Sequence, residues 1–127
     1  MKSETKQWLK IAEGDYDVSQ YGFKMARYPQ ALYLLCQAIE KLLKAAQIEF
    51  VNQRPPKSHR LENIARKTQL SFSDEQYESL IELSQHYGRV RYPDYSQADY
   101  NNKMKVSAIF DKGQKLYLWI LDKLTNH

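Results

Sequence analysis

One long segment of the chain, from about Pro29 to Phe50, is apolar around most of its circumference when it is drawn as a helix. A surface helix carries its apolar residues on a single stripe, so a helix of this composition must be packed on several sides. One polar stripe interrupts it, and this stripe consists of Gln37, Glu40, Lys41, Lys44 and Gln47. The pattern therefore predicts a central helix with the other elements arranged around it.

Two more long helices are predicted towards the ends of the chain. Apolar residues recur at helical spacing from about Glu4 to Met25 and again from about Ala98 to Leu124. Gly113 lies on the apolar face of the second of these helices. Because glycine has no side chain, a neighbouring helix is expected to approach closely at this position.

Two helices are predicted between these. The sequence from Ser73 to Gln76 is a capping box, and it begins a helix that ends near Gly88. A shorter helix, with Ser58 as its N-cap residue, precedes it. Short connections favour antiparallel neighbours. The predicted fold class is therefore all-α, an up-and-down bundle of four long helices with one short crossing helix, in a single domain over residues 1–127.

Composition limits the location and the partners of the protein. The chain has 127 residues and one cysteine, so no intrachain disulfide can form and an oxidising compartment offers no advantage. A polar start and the lack of a long apolar run predict a cytoplasmic protein without a signal peptide or a membrane span. The net charge of +4 is compatible with a polyanionic partner. The sequence has no phosphate-binding glycine loop and no Cys/His cluster, so neither a metal nor a cofactor is expected.

The best cluster of candidate binding residues lies between the last two long helices. It consists of Arg89, Arg91, Tyr92, Asp94 and Tyr95. Two nearby guanidinium groups can bind a phosphate in forked geometry, and tyrosine rings can stack on a base. The alternative is a helix end followed by a proline turn, in which the arginines bind backbone carbonyls or pair with acidic residues.

Weaker candidates are scattered along the sequence. Asp15 lies at the edge of an apolar face and must find a partner or remain hydrated. Lys41 and Lys44 lie on the polar stripe, where lysines are usually only solvated. His59 is either an acid–base or phosphate-contacting residue or a tie between its loop and the bundle. Cys36 is expected to be a buried structural thiol. The tyrosines at helical spacing are expected mostly at the rim of the core with hydrated hydroxyls, where they would also suit a dimer face; they are Tyr33, Tyr77, Tyr87, Tyr100 and Tyr117.

Several short motifs follow one another along the chain. The pattern W-x3-A-x2-D begins at Trp8, and the sequence Q-A-I-E-K-L-L-K-A begins at Gln37. A proline loop leads into P-x2-H-x-L at residues 56–61, and the sequence R-Y-P-D begins at Arg91. In this order the motifs resemble those of the HEPN family, the domain named for nucleotide binding in higher eukaryotes and prokaryotes. The resemblance covers nearly the whole chain.

The resemblance implies a bundle of four to five helices that forms a homodimer. Many prokaryotic members are encoded beside a minimal nucleotidyltransferase, with which they form a toxin–antitoxin pair, and others cleave RNA. The RNA-cleaving members use an arginine that is followed, after four to six residues, by a histidine at the end of the corresponding late helix. Neither Arg89 nor Arg91 is followed by a histidine at that spacing. Arg54 and His59 fit the spacing, but they lie in the proline loop, and the match is interpreted as accidental.

Three hypotheses about function remain open. In the first, the protein is a nucleotide- or RNA-associated module, paired with a minimal nucleotidyltransferase, whose ligand binds at the cluster around Arg91. In the second, it is a ribonuclease with a displaced catalytic set, in which Arg89 or Arg91 stabilises charge and Tyr95 or His59 carries the proton. In the third, it is a purely structural dimer, which two arginines buried in ion pairs would indicate.

Overall fold

A computed structural model describes residues 1–54, 57–93 and 100–127, and these residues form five helices and no strand. The helices are α1 (Ser3–Lys24), α2 (Tyr28–Val51), α3 (Leu61–Arg66), α4 (Asp74–Arg89) and α5 (Lys103–Thr125). The predicted all-α bundle of four long helices and one short helix is confirmed. None of the described helices is both long enough and apolar enough to span a membrane.

The central position of α2 is confirmed, because α2 contacts all four of the other helices. The lysines of its polar stripe were expected to be only solvated, and for Lys44 this is wrong, because it is one of three stripe residues that are buried. Glu40, Lys44 and Gln47 are buried. The side chains of His59 and Tyr87 lie against this stripe, which brings the loop before α3 and the helix α4 over it.

Capping side chains set the start of α4 as predicted. The Ser73 hydroxyl accepts a hydrogen bond from the Gln76 backbone N–H, and the Gln76 side chain accepts one from the Ser73 N–H. The rings of Phe72 and Tyr77, the residues that flank this box, lie 5.5 Å apart as in a hydrophobic staple. Local sequence alone therefore defines this helix end.

The start of α3 differs from the prediction. Its N-cap residue is Arg60 rather than Ser58, and Arg60 provides no side-chain cap. Instead, the hydroxyl of Ser84 in α4 accepts a hydrogen bond from the Leu61 N–H at 2.8 Å and donates one to the Glu62 carboxylate at 2.7 Å. A side chain from another helix thus satisfies a donor that the local sequence leaves unpaired.

The start of α5 also differs from the predicted position near Ala98, which lies outside the described residues. Residues 100–102 are not helical, and α5 begins at Lys103. The side-chain oxygen of Asn102 accepts hydrogen bonds from the backbone N–H groups of Met104 and Lys105. Asparagine at this position satisfies the free donors of the first turn, and the helix begins there.

Three tyrosines are buried in the core, which contradicts their predicted place at its rim. They are Tyr87, Tyr100 and Tyr117. Burial raises the pKa of Tyr87 and of Tyr117. The thiol of Cys36 is also fully buried, which confirms the predicted structural role, and burial raises its pKa as well.

The helices α2 and α5 approach each other closely at Gly113, as predicted. A Cβ atom at this position would lie 2.6 Å from Cδ2 and 3.2 Å from Cγ of Leu35. Both distances are shorter than ordinary carbon–carbon contact. A side chain at this position would therefore force the buried Leu35 side chain to shift within the core.

We expect Gly113→Val to lower the free energy of unfolding by about 1–3 kcal/mol, because the added methyl groups overpack the contact with Leu35. Gly88→Val is the matched control, since nothing lies within 4 Å of a Cβ built there. Urea denaturation should show a change below about 0.5 kcal/mol for this control. A Gly113→Val protein as stable as the parent would contradict the packing argument.

Candidate functional site

A buried carboxylate lies at the centre of the polar residues that the bundle brings together. Glu40 accepts hydrogen bonds from Lys44 Nζ at 2.9 Å, from the Tyr87 hydroxyl at 3.1 Å and from His59 Nδ1 at 3.1 Å. These donors come from α2 itself, from α4 and from the loop before α3. We refer to Glu40, Lys44, His59 and Tyr87 as the Glu40 network.

The protonation of Glu40 follows from these contacts. Burial alone would raise its pKa, but the hydrogen bonds from Lys44 and His59 outweigh burial and hold the pKa below its ordinary value. Glu40 is therefore an ionised acceptor at neutral pH. The Nδ1 atom of His59 must then be the donor, which leaves Nε2 free to accept or donate a proton. Since the His59 side chain is 68% exposed, a ligand can reach it.

Arg91 lies just beyond α4 and is held over two aromatic rings. Its guanidinium carbon is 5.3 Å from the ring centroid of Tyr87 and 5.7 Å from that of Tyr33, and the two rings are 5.2 Å apart. Its Nε atom donates a long hydrogen bond, 3.4 Å, to the Tyr87 carbonyl oxygen. The residue remains exposed. Stacking on aromatic faces orients a guanidinium without removing its charge.

Two surface grooves meet at Arg91. The polar groove has a volume of about 340 Å³ and is lined by His59, Arg60, Ser84, Gln85, Tyr87, Gly88 and Arg91. The apolar groove has a similar volume of about 340 Å³ and is lined by Pro29, Gln30, Tyr33, Leu34, Val90 and Arg91. Arg91 thus forms a wall common to a polar space and an apolar space. The imidazole of His59 opens onto the polar space.

Two other members of the predicted cluster, Arg89 and Tyr92, do not line these grooves. Arg89, the last residue of α4, and Tyr92 are exposed, and neither is a groove residue. Side chains two positions apart at a helix end do not face one another, so Arg89 and Arg91 need not act as a pair. Asp94 and Tyr95 lie outside the described residues. Arg89 and Arg91 are both exposed, whereas a purely structural dimer would be indicated by two arginines buried in ion pairs.

Three of the weaker candidates, Asp15, Lys41 and Lys44, make contacts between α1 and α2. The carboxylate of Asp15 accepts a hydrogen bond from the Gln37 side-chain amide at 3.1 Å. The ammonium groups of Lys41 and Lys44 lie 5.8 Å and 5.7 Å from the Trp8 ring. These contacts join the two helices, and they are separate from both grooves.

The sequence contains a signal for this site that helical spacing can reveal. Tyr33 and Glu40 are seven residues apart on α2, and Tyr87 and Arg91 are four residues apart at the end of α4. Both spacings place side chains on one face of a helix. From the sequence, the tyrosines were predicted to be packing residues at the rim of the core, and Glu40 was assigned only to the polar stripe of α2. No residue-by-residue pattern indicates that the two faces meet.

The comparisons with known proteins agree with this fold. The HEPN domain family matches residues 5–124. The crystal structure of TT1696 from Thermus thermophilus is similar, with a TM-score of 0.79 and 19% identity over 96% of this chain and 99% of that chain. The crystal structure of ST0689, an archaeal HEPN homologue, has a TM-score of 0.72 and 19% identity over 98% of this chain and 100% of that chain. No curated protein matches the sequence.

Together, the five described helices, packed around α2, and the buried ionic network of Glu40 define a small all-α module. The family match extends over nearly the whole chain. This protein belongs to the HEPN domain family.

We expect Glu40→Leu to lower the free energy of unfolding by about 3–5 kcal/mol, because it leaves the buried Lys44 ammonium without its partner. The double variant Glu40→Leu, Lys44→Met removes both charges and should recover most of this loss. Urea denaturation of the two variants measures the difference. A double variant as unstable as the single one would mean that the bonds to Tyr87 and His59, rather than the charge pair, carry the stability.

Proposed function

We propose that this protein is a nucleotide- or RNA-binding HEPN module that works in the cytoplasm as a homodimer. The observation that carries the proposal is the position of Arg91, which is exposed, held by two tyrosine rings and common to a polar and an apolar groove. A nucleotide has the same division, with a charged phosphate at one end and a flat apolar-faced base at the other. The two grooves match these two parts.

The charge of Arg91 is available to a phosphate. Within the described part of the chain, no carboxylate lies within 4.0 Å of its guanidinium, and its partners are two rings and a carbonyl oxygen. Its planar fork fits two phosphate oxygens, and charge-assisted bonds of this kind are roughly twice as strong as neutral ones. The Nε2 atom of His59, in the polar groove, supplies a second polar group for the same ligand.

The apolar groove suits the base. Tyr33 lies in its wall, beside Pro29, Leu34 and Val90. Bases stack on tyrosine rings without regard to sequence, and each such contact contributes about 1–3 kcal/mol. This arrangement favours binding that depends on a phosphate and a base, and it does not select one nucleotide.

The resemblance to family members that are encoded beside a minimal nucleotidyltransferase supports a further part of the proposal. In this part of the proposal, a minimal nucleotidyltransferase is the protein partner of this chain, and the two proteins form a toxin–antitoxin-like pair. Co-expression of the adjacent reading frame with this chain, followed by purification of one through a tag on the other, tests this part separately from ligand binding.

We expect Arg91→Ala to weaken binding of a short single-stranded RNA at least tenfold, because one charge-assisted phosphate contact is lost. Arg66→Ala is the matched control, since Arg66 is also exposed and lies 5.7 Å from the Tyr77 ring, but lines neither groove. Fluorescence anisotropy at several salt concentrations gives the slope of the logarithm of the binding constant against the logarithm of the salt concentration. The magnitude of this slope should fall by about one for Arg91→Ala only. Equal losses in both variants would indicate diffuse charge attraction, and no loss in Arg91→Ala would remove the site.

A second candidate function is RNA cleavage, and the convergence of His59 and Arg91 on one groove favours it. The two residues are far apart in sequence, yet they supply the types of side chain that the usual arginine–histidine motif supplies. Glu40 orients the imidazole by its bond to Nδ1. In this reaction His59 Nε2 takes the proton of a ribose 2′-hydroxyl, whose oxygen attacks the phosphorus, while the 5′-oxygen leaves and takes a proton from water to form a 5′-hydroxyl. Arg91 stabilises the charge on the phosphoryl oxygens.

If cleavage occurs by this route, His59→Asn should slow it by about 10²–10⁴-fold, whereas RNA affinity should fall by no more than about tenfold, the cost of one lost polar contact. His127→Asn is the matched control, because His127 also bonds a glutamate, Glu49, at 3.0 Å, away from the groove. A gel assay with end-labelled RNA measures the rates. Cleavage that survives in His59→Asn contradicts the assigned proton carrier, and an inactive parent protein that still binds RNA identifies a binding module.

A further inference from the structure

The outer surface of α1 carries an apolar stripe that the bundle does not cover. Ile11, Val18, Tyr21 and Met25 are 50%, 53%, 66% and 71% exposed. Together with Gly14 they follow the alternating three- and four-residue spacing of a coiled-coil seam. We call these five residues the α1 seam. Large exposed apolar residues in a continuous stripe are typical of an interface.

A groove between α1 and α2 extends the seam. It has a volume of about 460 Å³, and its walls include Val18, Tyr21 and Met25 from α1 together with Gln30 and Leu34 from α2. Gln30 and Leu34 also line the apolar groove beside Arg91. The α1 seam therefore continues into the surface that holds the candidate site.

We propose that a second copy of this chain covers the α1 seam, with its own α1 running antiparallel across a two-fold axis. The shape of the seam is self-complementary in this orientation. A register that places Val18 opposite Tyr21 of the second copy also places Gly14 opposite Met25 of the second copy. The position without a side chain then faces the most exposed residue of the stripe, as a knob faces a hole.

Charges beside the seam support the same register. Asp17 and Lys24 are both exposed and lie one heptad apart on α1. In the antiparallel pair, Asp17 of each copy lies within about one helical turn of Lys24 of the other. Opposite charges therefore meet twice, once on each side of the two-fold axis. In a parallel pair, both residues would face the e positions of the other copy, so Asp17 and Lys24 would not lie opposite each other.

The exposed apolar area of the seam approaches what a specific pair needs. The exposed fractions of its four apolar residues correspond to roughly 500 Å² in each copy, or about 1,000 Å² in the pair, which is just below the range of standard specific interfaces, so the α2 side of the groove contributes as well. The inference rests on the homodimer proposed above and names its surface. It also places each Arg91 site beside the interface, because the seam and the apolar groove are continuous.

Sedimentation velocity of the full chain over a range of concentrations tests the surface. We expect the parent protein to be a dimer and Val18→Glu to raise the dissociation constant at least 100-fold with unchanged helical circular dichroism. Leu118→Glu is the matched control, because Leu118 is 54% exposed but lies on α5. A dimer that withstands Val18→Glu, or one that Leu118→Glu disrupts, would place the interface elsewhere.

Charge exchange tests the orientation. Asp17→Lys alone and Lys24→Asp alone should each weaken the dimer at least several-fold, and the double exchange should restore it. A double variant no tighter than either single variant overturns the antiparallel register. A parent protein that stays monomeric throughout overturns both this inference and the proposed homodimer, whereas the comparison of Arg91→Ala with Arg66→Ala still decides the ligand site.

Discussion

The carboxylate of Glu40 is the interaction on which the arrangement of this site depends. A charge buried without partners is strongly destabilising, and Glu40 avoids this by accepting bonds from α2, from α4 and from the loop before α3. The same bonds fix the relative positions of those three segments. Tyr87 is fixed by its hydroxyl, and its ring in turn supports Arg91. The exposed groups of the candidate site are therefore positioned by a buried ion pair that lies beneath them.

This dependence separates the residues of the site into two roles. Arg91 and His59 present charge and a ring nitrogen at the surface, where a ligand can reach them. Glu40 and Tyr87 act through those residues and belong to the core. A surface site supported in this way keeps its geometry before the ligand arrives, which reduces the entropy lost on binding. The stacking of Arg91 on two rings restricts its long side chain before binding, so less side-chain entropy is lost when a ligand binds.

Much of the fold was predictable from the sequence because its signals are local. The start of α4 depends on Ser73 and Gln76, which are three residues apart, and the centrality of α2 depends on its own composition. The start of α3 was not predictable, since its capping group comes from Ser84 on another helix. The start of α5 was misplaced because periodicity extends through Asn102 and does not register a capping side chain.

The site was only partly predictable for the same physical reason. Arg91 and His59 were identified by residue type, and their shared groove was not, because it depends on how α4 and the loop pack on α2. The burial of Glu40 and Lys44 was missed because a polar residue on a helix wheel is assigned to solvent unless its partner is known. Asp94 and Tyr95 lie outside the described residues and stay predictions. The family was recognisable because its motifs, like helix caps, are short and local.

The burial of Cys36 has a practical consequence. It is the only cysteine in the chain, it is wholly enclosed by the core, and its raised pKa keeps it protonated at neutral pH. Thiol reagents attack the accessible thiolate, so the native protein offers them almost no target. A cysteine introduced on the surface would then accept a spin label or a fluorophore at one known position, without any need to replace Cys36. Distances within and between copies can be measured in this way on a chain that is otherwise unaltered.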